Sequence, residues 1–401
     1  MPRRTGGFIG HRGLQAPDPP TAVTPTAGNT QVSVAFTAPS DVGDDAITAF
    51  VATTNDGFGA TGSSSPLTIT SLTNGTNYTV KVFAINDYGT SAPSEASASF
   101  SPVAPDRGIF AGGFSLSPTT YHNALQFVTI TSTGNTQDFG DLTQGVYTIM
   151  SLSSSTRGVR GGGNDGSSGQ NTMDYVTINT EGNASDFGDL SDVSGRGAGT
   201  ANETRGLFHL GVDSNDYTNT TEYITIASTG DTTDFGDRTA AVAFSGNGVS
   251  NTTRAVFGSG FDGSSYQNMI DYFTIGSTGN ATDFGDLTVA RYWCGAGNSS
   301  TRGIWAGGAD AYASNVADYI TIASTGNATD FGDLSTARYK GAGLSNKTRM
   351  LLGAGDTGSN NFKDEISYFT ISSTGNDTDF GNLATANSQL TAFSNSHGGL
   401  A

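Results

Sequence analysis

One cysteine, Cys294, stands in a chain of 401 residues, which excludes an internal disulfide framework and any zinc site built from several thiolates. Histidine is almost as scarce: His11, His122, His209 and His397 lie far apart, so no closely spaced pair marks a metal centre or a catalytic dyad. Basic residues number 18 against 36 acids, leaving a net charge of −18. Phosphate backbones repel such a chain, because their recognition rests on basic patches, and nucleic-acid binding is not expected. No apolar run approaches the ~20 residues that cross a bilayer. The opening ten residues, Met1 to Gly10, carry Arg3 and Arg4 without a continuous apolar stretch. Neither membrane insertion nor a secretory signal is expected, and synthesis in a cytosol is.

Glycine is abundant instead, at 56 residues, beside much Ser, Thr and Asn. Such composition means low complexity only where it lacks a period. Here Asp-Phe-Gly begins at Asp138, Asp186, Asp234, Asp283, Asp330 and Asp379, and an arginine recurs at Arg107, Arg157, Arg205, Arg254, Arg302 and Arg349. Six residues past each arginine stands a glycine, from Gly113 to Gly355. This is a six-copy array, and a fixed period of this size means stacked supersecondary units.

Each copy reads as four strands. The arginine opens one, as in Arg302-Gly303-Ile304-Trp305-Ala306, and a variable loop follows. An alternating strand such as Asp318-Tyr319-Ile320-Thr321-Ile322 comes next, then a Ser-Thr-Gly-Asn hairpin with Gly326-Asn327 as its turn pair, both expected to accept positive φ. The third strand holds Asp-Phe-Gly, and a small-residue strand such as Gly341-Ala342-Gly343-Leu344 leads to the next arginine. Small residues suit the crowded innermost strand of a radial array. The first copy lacks such a strand before Arg107, and the last carries an extra one, Leu390 to Asn395. The C-terminal segment is therefore expected to complete the first sheet, removing an exposed edge. The arginines are expected to pair with the repeated aspartates.

Four-stranded sheets repeated at a period near 50 resemble kelch repeats. The double glycine is intact at Gly112-Gly113, Gly162-Gly163 and Gly307-Gly308, and Phe331 stands where kelch repeats usually carry Trp. The resemblance implies a six-bladed β-propeller over 105–401. Residues 17–104 differ, with period-two alternation in Gln31 to Phe36 and Tyr78 to Ala84, the pattern of a β-sandwich. Leu72 to Val80 resembles the tyrosine-corner segment of fibronectin type III domains, and Asn86 to Ser94 resembles that family's last hairpin and final strand. Phe36 occupies the usual Trp position. The fold class expected is thus all-β, a fibronectin type III sandwich followed by a kelch-like propeller closed by the C-terminal strand.

Residues 1–16 form an arm with Arg3, Arg4, Phe8, Ile9 and Arg12 and no acid, read either as an unstructured terminus or as a segment that docks on a partner. No catalytic constellation emerges. Asp-Phe-Gly occurs six times without the other kinase motifs, and Cys294 beside Trp293 reads as a buried thiol. The sequons at Asn183, Asn280, Asn327 and Asn376 coincide with hairpin turns. No cofactor is expected; Ca²⁺ at Asn164-Asp165-Gly166 or Asp262-Gly263 is the lesser alternative, since neither loop matches an EF-hand. Binding is placed on the variable loops, which share one face and carry Tyr121, His122, Asp165, Tyr217, Tyr266, Tyr312 and Phe362; Tyr with Ser, Gly and Asn suits adaptable recognition.

The whole chain resembles virion proteins of tailed bacteriophages, especially marine and cyanobacterial ones. That resemblance implies a non-enzymatic tail, neck or baseplate appendage, exposed on the particle. The arm would dock on other virion proteins and the propeller would face a host-surface glycan or protein. A capsid decoration protein, a bacterial surface adhesin and a glycan-cleaving enzyme follow in that order.

Overall fold

The computed structural model describes residues 15–116, 118–214 and 216–400. Arg3, Arg4, Phe8, Ile9 and Arg12 lie outside the described residues. These hold thirty-five strands and no helix, in two compact units, 1–105 and 106–401.

In the first unit, Thr21–Gly28, Gln31–Thr37 and Leu67–Ile69 form one sheet, and Gly59–Gly62, Ala49–Thr54, Val80–Asn86 and Gly89–Thr90 form the other, in those spatial orders. Strict alternation sends Val32, Val34 and Phe36 inward from one strand and Val80, Val82 and Ala84 from another. Phe36 fills its core position against Phe50, with centroids 4.9 Å apart. Tyr78 is buried, and its Oη accepts the Thr73 N–H at 3.1 Å, which is the tyrosine-corner bond. The expected final strand is absent. Ser91, Ser94 and Ser97 instead run alongside Val80–Asn86, their N–H groups donating to Ala84, Val82 and Val80 carbonyls, while their hydroxyls accept the return bonds at 3.0 Å. A contact every third residue fits a serine spacing of three and the proline at 93, which breaks a period-two ladder.

Among its described residues the second unit holds six antiparallel sheets with the same four-strand spatial order, and a two-strand pair, Phe114–Ser115 with Thr120–Tyr121. In the fifth repeat the order runs Gly295–Asn298, Arg302–Ala306, Val316–Thr321, Thr329–Asp333. The second sheet is longer by the hairpin Val212–Asp213 and Asp216–Tyr217. The first sheet takes its small-residue strand from the C terminus: Thr391–Ser394 pairs antiparallel with Arg107–Ala111, Thr391 opposite Ala111 and Ser394 opposite Gly108. Small residues are needed on these strands. A Cβ on Gly343 would overlap the backbone of Ala296, and one on Gly199 that of Ser151, each in the preceding sheet.

Neighbouring sheets are joined by the repeated residues themselves. Each landmark arginine lays its guanidinium 4.2–4.7 Å from the ring centroid of Phe127, Tyr175, Tyr223, Tyr272, Tyr319 or Tyr368 in its own sheet. Its Nη1 then donates to a carbonyl of the next sheet: Ile178, Ile226, Ile275, Ile322 and Ile371, and for Arg349 Ile130 of the first. The expected pairing with aspartates is overturned. Those aspartates are exposed to water, whereas a half-buried strand-end carbonyl needs a donor and an aromatic face favours a cation.

The Asp-Phe-Gly strands join the sheets a second way. Their phenylalanines are all 2 % exposed, and each phenylalanine carbonyl accepts the N–H of the hairpin glycine in the next sheet at 2.7–2.8 Å; the series runs from Gly182 to Gly375 and ends with Gly134 on Phe380. The residue after that glycine, Asn183, Asp231, Asn280, Asn327, Asn376 or Asn135, accepts a backbone N–H from the preceding sheet at 3.0–3.1 Å. Only the glycines of these turns take positive φ, 151–156°. The asparagines keep ordinary backbone and spend their side chains on the neighbour.

Candidate functional site

Six residues, one per repeat, enter the small-residue strands in the left-handed conformation: Thr148 (φ 55°), Arg196 (65°), Phe244 (58°), Trp293 (55°), Lys340 (61°) and Gln389 (59°). Glycine is the residue that adopts this region without steric cost, and none of the six is glycine. Each carries strain of about 1–3 kcal/mol, most for the β-branched threonine and the bulky aromatics. Strain of that kind persists where surrounding structure enforces it, and here the enforcement is visible. Thr148 N–H donates to Gln389, Gln389 to Lys340, Lys340 to Trp293, Trp293 to Phe244, Phe244 to Arg196, and Arg196 back to Thr148. The six backbone bonds return to their start.

All these residues except Phe244 line one recess with Gly197, Gly246, Cys294 and Gly341. Asn247 crosses its floor, its Nδ2 donating to the Ala392 carbonyl at 3.1 Å. Beyond Asn247 the small-residue strands are tied by side chains. Ser153 donates to the Ser394 carbonyl, Ser394 to Ser345, Ser345 to Asn298, Asn298 to Ser250 and Ser250 to Ala201, where a methyl group ends the series. The far end is filled by the C terminus: His397 Nε2 lies 3.0 Å from the Ser153 carbonyl, the Gly398 N–H reaches Asn298, and Leu400 is buried.

Around the open end, aromatic rings form two groups. Phe244 contacts Trp293 edge-on at 4.5 Å, Trp293 stacks on Tyr292 at 5.0 Å, and Tyr292 stacks on Tyr266 at 5.1 Å with 7° between planes. Phe261 joins them and touches Tyr217. Lys340 Nζ lies 4.5 Å from the Trp293 centroid and 4.6 Å from Tyr339. The second group is Tyr121 stacked on Tyr147 and Phe114, with Phe362 edge-on to Phe114 at 5.7 Å.

Of the residues expected to bind, the structure thus places Tyr217 and Tyr266 in one group and Tyr121 and Phe362 in the other. His122 turns to Ser115, its Nε2 2.8 Å from the hydroxyl, and burial holds its pKa below the usual value. Asp165 is tied into its own turn by Ser167 and Ser168, which keep its carboxyl acidic. Tyr312 is 83 % exposed and meets no ring among the described residues. No group of three or more potential metal-ligating side chains occurs among the described residues. Cys294 is free and buried, and burial raises its pKa.

Sequence reasoning missed the six left-handed residues. Their signal was available: they recur with the spacing of Asp-Phe-Gly, yet their identities differ at every copy. Also missed were the buried pairs Arg160–Asp174 (2.7 Å), Arg238–Asp271 (2.9 Å) and Arg291–Asp318 (2.8 Å). Each aspartate directly precedes a landmark tyrosine, but its arginine comes from varying places in the repeat.

Comparison with known proteins assigns part of the chain. Residues 17–100 match the fibronectin type III domain, in agreement with the sandwich and its tyrosine corner. No curated protein matches the chain.

Proposed function

We propose that residues 106–401 form a six-bladed, kelch-like β-propeller closed through Thr391–Ser394, and that the protein is a non-enzymatic binding protein of a tailed-phage virion. In this reading it is a tail, neck or baseplate appendage whose propeller meets a host-surface glycan, while the arm of residues 1–16 docks on other virion proteins. The cyclic series of arginine, glycine and backbone bonds support the propeller. The observation that carries the binding reading is the cycle of six strained residues, five of which line the recess. A six-copy frame satisfied by glycine everywhere would hold as well, and strain without a structural return marks a functional position. Aromatic faces beside hydroxyl, amide and cationic groups are what a sugar requires, with apolar C–H faces and a hydroxyl rim.

The test is binding of the full chain to arrayed host-surface oligosaccharides, with Trp293→Ala and Phe244→Ala as variants. Binding by the parent, weakened about tenfold or more in both variants while melting stays cooperative, is the expected result; an aromatic anchor in a site typically carries about 2 kcal/mol or more. No binding, or binding indifferent to both substitutions, overturns the reading.

A further inference from the structure

Basic residues in the second unit are almost all consumed by structure. Six are the landmark arginines on neighbouring carbonyls. Four more, Arg160, Arg238, Arg291 and Arg338, are buried against acids. Arg196, Lys340, Lys347 and Lys363 are left, and two of these four are left-handed residues lining the recess. Around the cycle of six backbone bonds, Arg196 and Lys340 are three steps apart in either direction, so their backbone positions lie opposite each other, while both cations lean over the aromatic rings of one arc, Arg196 over Phe244 and Lys340 over Trp293.

The sides between them differ. Phe244 and Trp293 occupy one arc, Gln389 and Thr148 the other. Arg196 is exposed, its guanidinium lies 5.2 Å from the Phe244 centroid, and that guanidinium makes no hydrogen bond with a described residue. Lys340 has only a distant acid partner, Asp356 at 3.9 Å, and is itself largely buried. Asp356 offsets the charge of Lys340 in part, whereas the Arg196 guanidinium has no acid partner among the described residues, and an anion in the recess they both line would be attracted to both.

We propose that the recess takes a sugar carrying a carboxylate: the ring rests on Trp293, which Phe244 supports edge-on from outside the recess, Gln389 and Thr148 meet its hydroxyls, and the carboxylate is held by Arg196 and Lys340. This rests on the glycan-binding reading above and narrows it to acidic saccharides. A carboxylate suits the planar guanidinium fork, and a net charge of −18 would otherwise repel such a ligand.

The experiment measures binding of the full chain to oligosaccharides containing uronic or sialic acid, against the same compounds with the carboxyl esterified. Arg196→Gln, Lys340→Gln and Trp293→Ala are compared at low and high salt. Expected is binding of acids only, weakened about tenfold to a hundredfold by Arg196→Gln, as loss of one charge-assisted bond predicts, and weakened by salt. Esters bound as well as acids, with loss in Trp293→Ala alone, would overturn this inference and leave the glycan-binding reading intact. No binding to either form would overturn both.

Discussion

At the scale of single residues, the interior of the second unit settles charge and polarity by local means. His209 is wholly buried, its Nε2 2.7 Å from the Val242 carbonyl and its Nδ1 3.2 Å from that of Thr220. The shorter contact assigns the proton to Nε2. Desolvation, then the nearby Arg238 guanidinium, push its pKa down to about 3 from the ordinary 6.5. The unfolded chain therefore takes up a proton below pH 6.5 that the folded chain refuses, and stability falls as the pH drops from 6.5 towards 3. The slope is about 1.4 kcal/mol per pH unit for one such group, and burial of His397 acts in the same direction. Between pH 6.5 and 4.5, urea unfolding should show the parent losing about 2–3 kcal/mol more than His209→Gln. Equal losses would mean that the buried imidazole is already charged.

At the scale of elements, the outer strands and hairpins explain what the repeated motif is for. The phenylalanines of Asp-Phe-Gly fill the space between sheets. The glycine has a separate duty that residue type alone does not reveal. Gly332 has φ 149°, and a Cβ there would overlap the Gly375 carbonyl in the next sheet. Gly332→Ala should lower stability by about 2–4 kcal/mol, through positive φ and steric overlap together, and calorimetry on the full chain would detect it. A melting temperature within a degree of the parent's would show that the joint yields. Strand order and hairpin positions were legible because period-two patterning and turn residues recur six times. The partners of the arginines were not: a landmark arginine and an exposed aspartate look like a pair in one dimension, while the carbonyl it serves has no sequence signature. The left-handed residues were hidden likewise, since positive φ is inferred from glycine and asparagine, and here Thr148, Phe244 and Trp293 adopt it.

At the scale of the molecule, pairing of Thr391–Ser394 with Arg107–Ala111 was legible from a count of strands, one too few at the start and one too many at the end. Removing residues 388–401 deletes that strand, Gln389 from the backbone cycle, and the segment that fills the far end of the recess. The truncated chain should lose the cooperative melting of the second unit and aggregate, as an uncovered sheet edge does. Light scattering and a calorimetric trace check this, and a truncated monomer melting like the parent would contradict it. The fibronectin-type unit supplies an internal control, because its own core of Val32, Phe36, Tyr78 and their neighbours lies within 1–105.

The shared first sheet also brings together residues from the two ends of the second unit. Asp106 and Leu400 border the same cleft, and the Asn395 N–H donates to the Arg107 carbonyl, so residues 288 positions apart in sequence meet within one sheet and are bridged by hydrogen bonds. That meeting point is consequently portable: residues 106–400 expressed with a short peptide linking 400 to 106 and a new start at Thr156 would give a circularly permuted second unit with the same strand pairing.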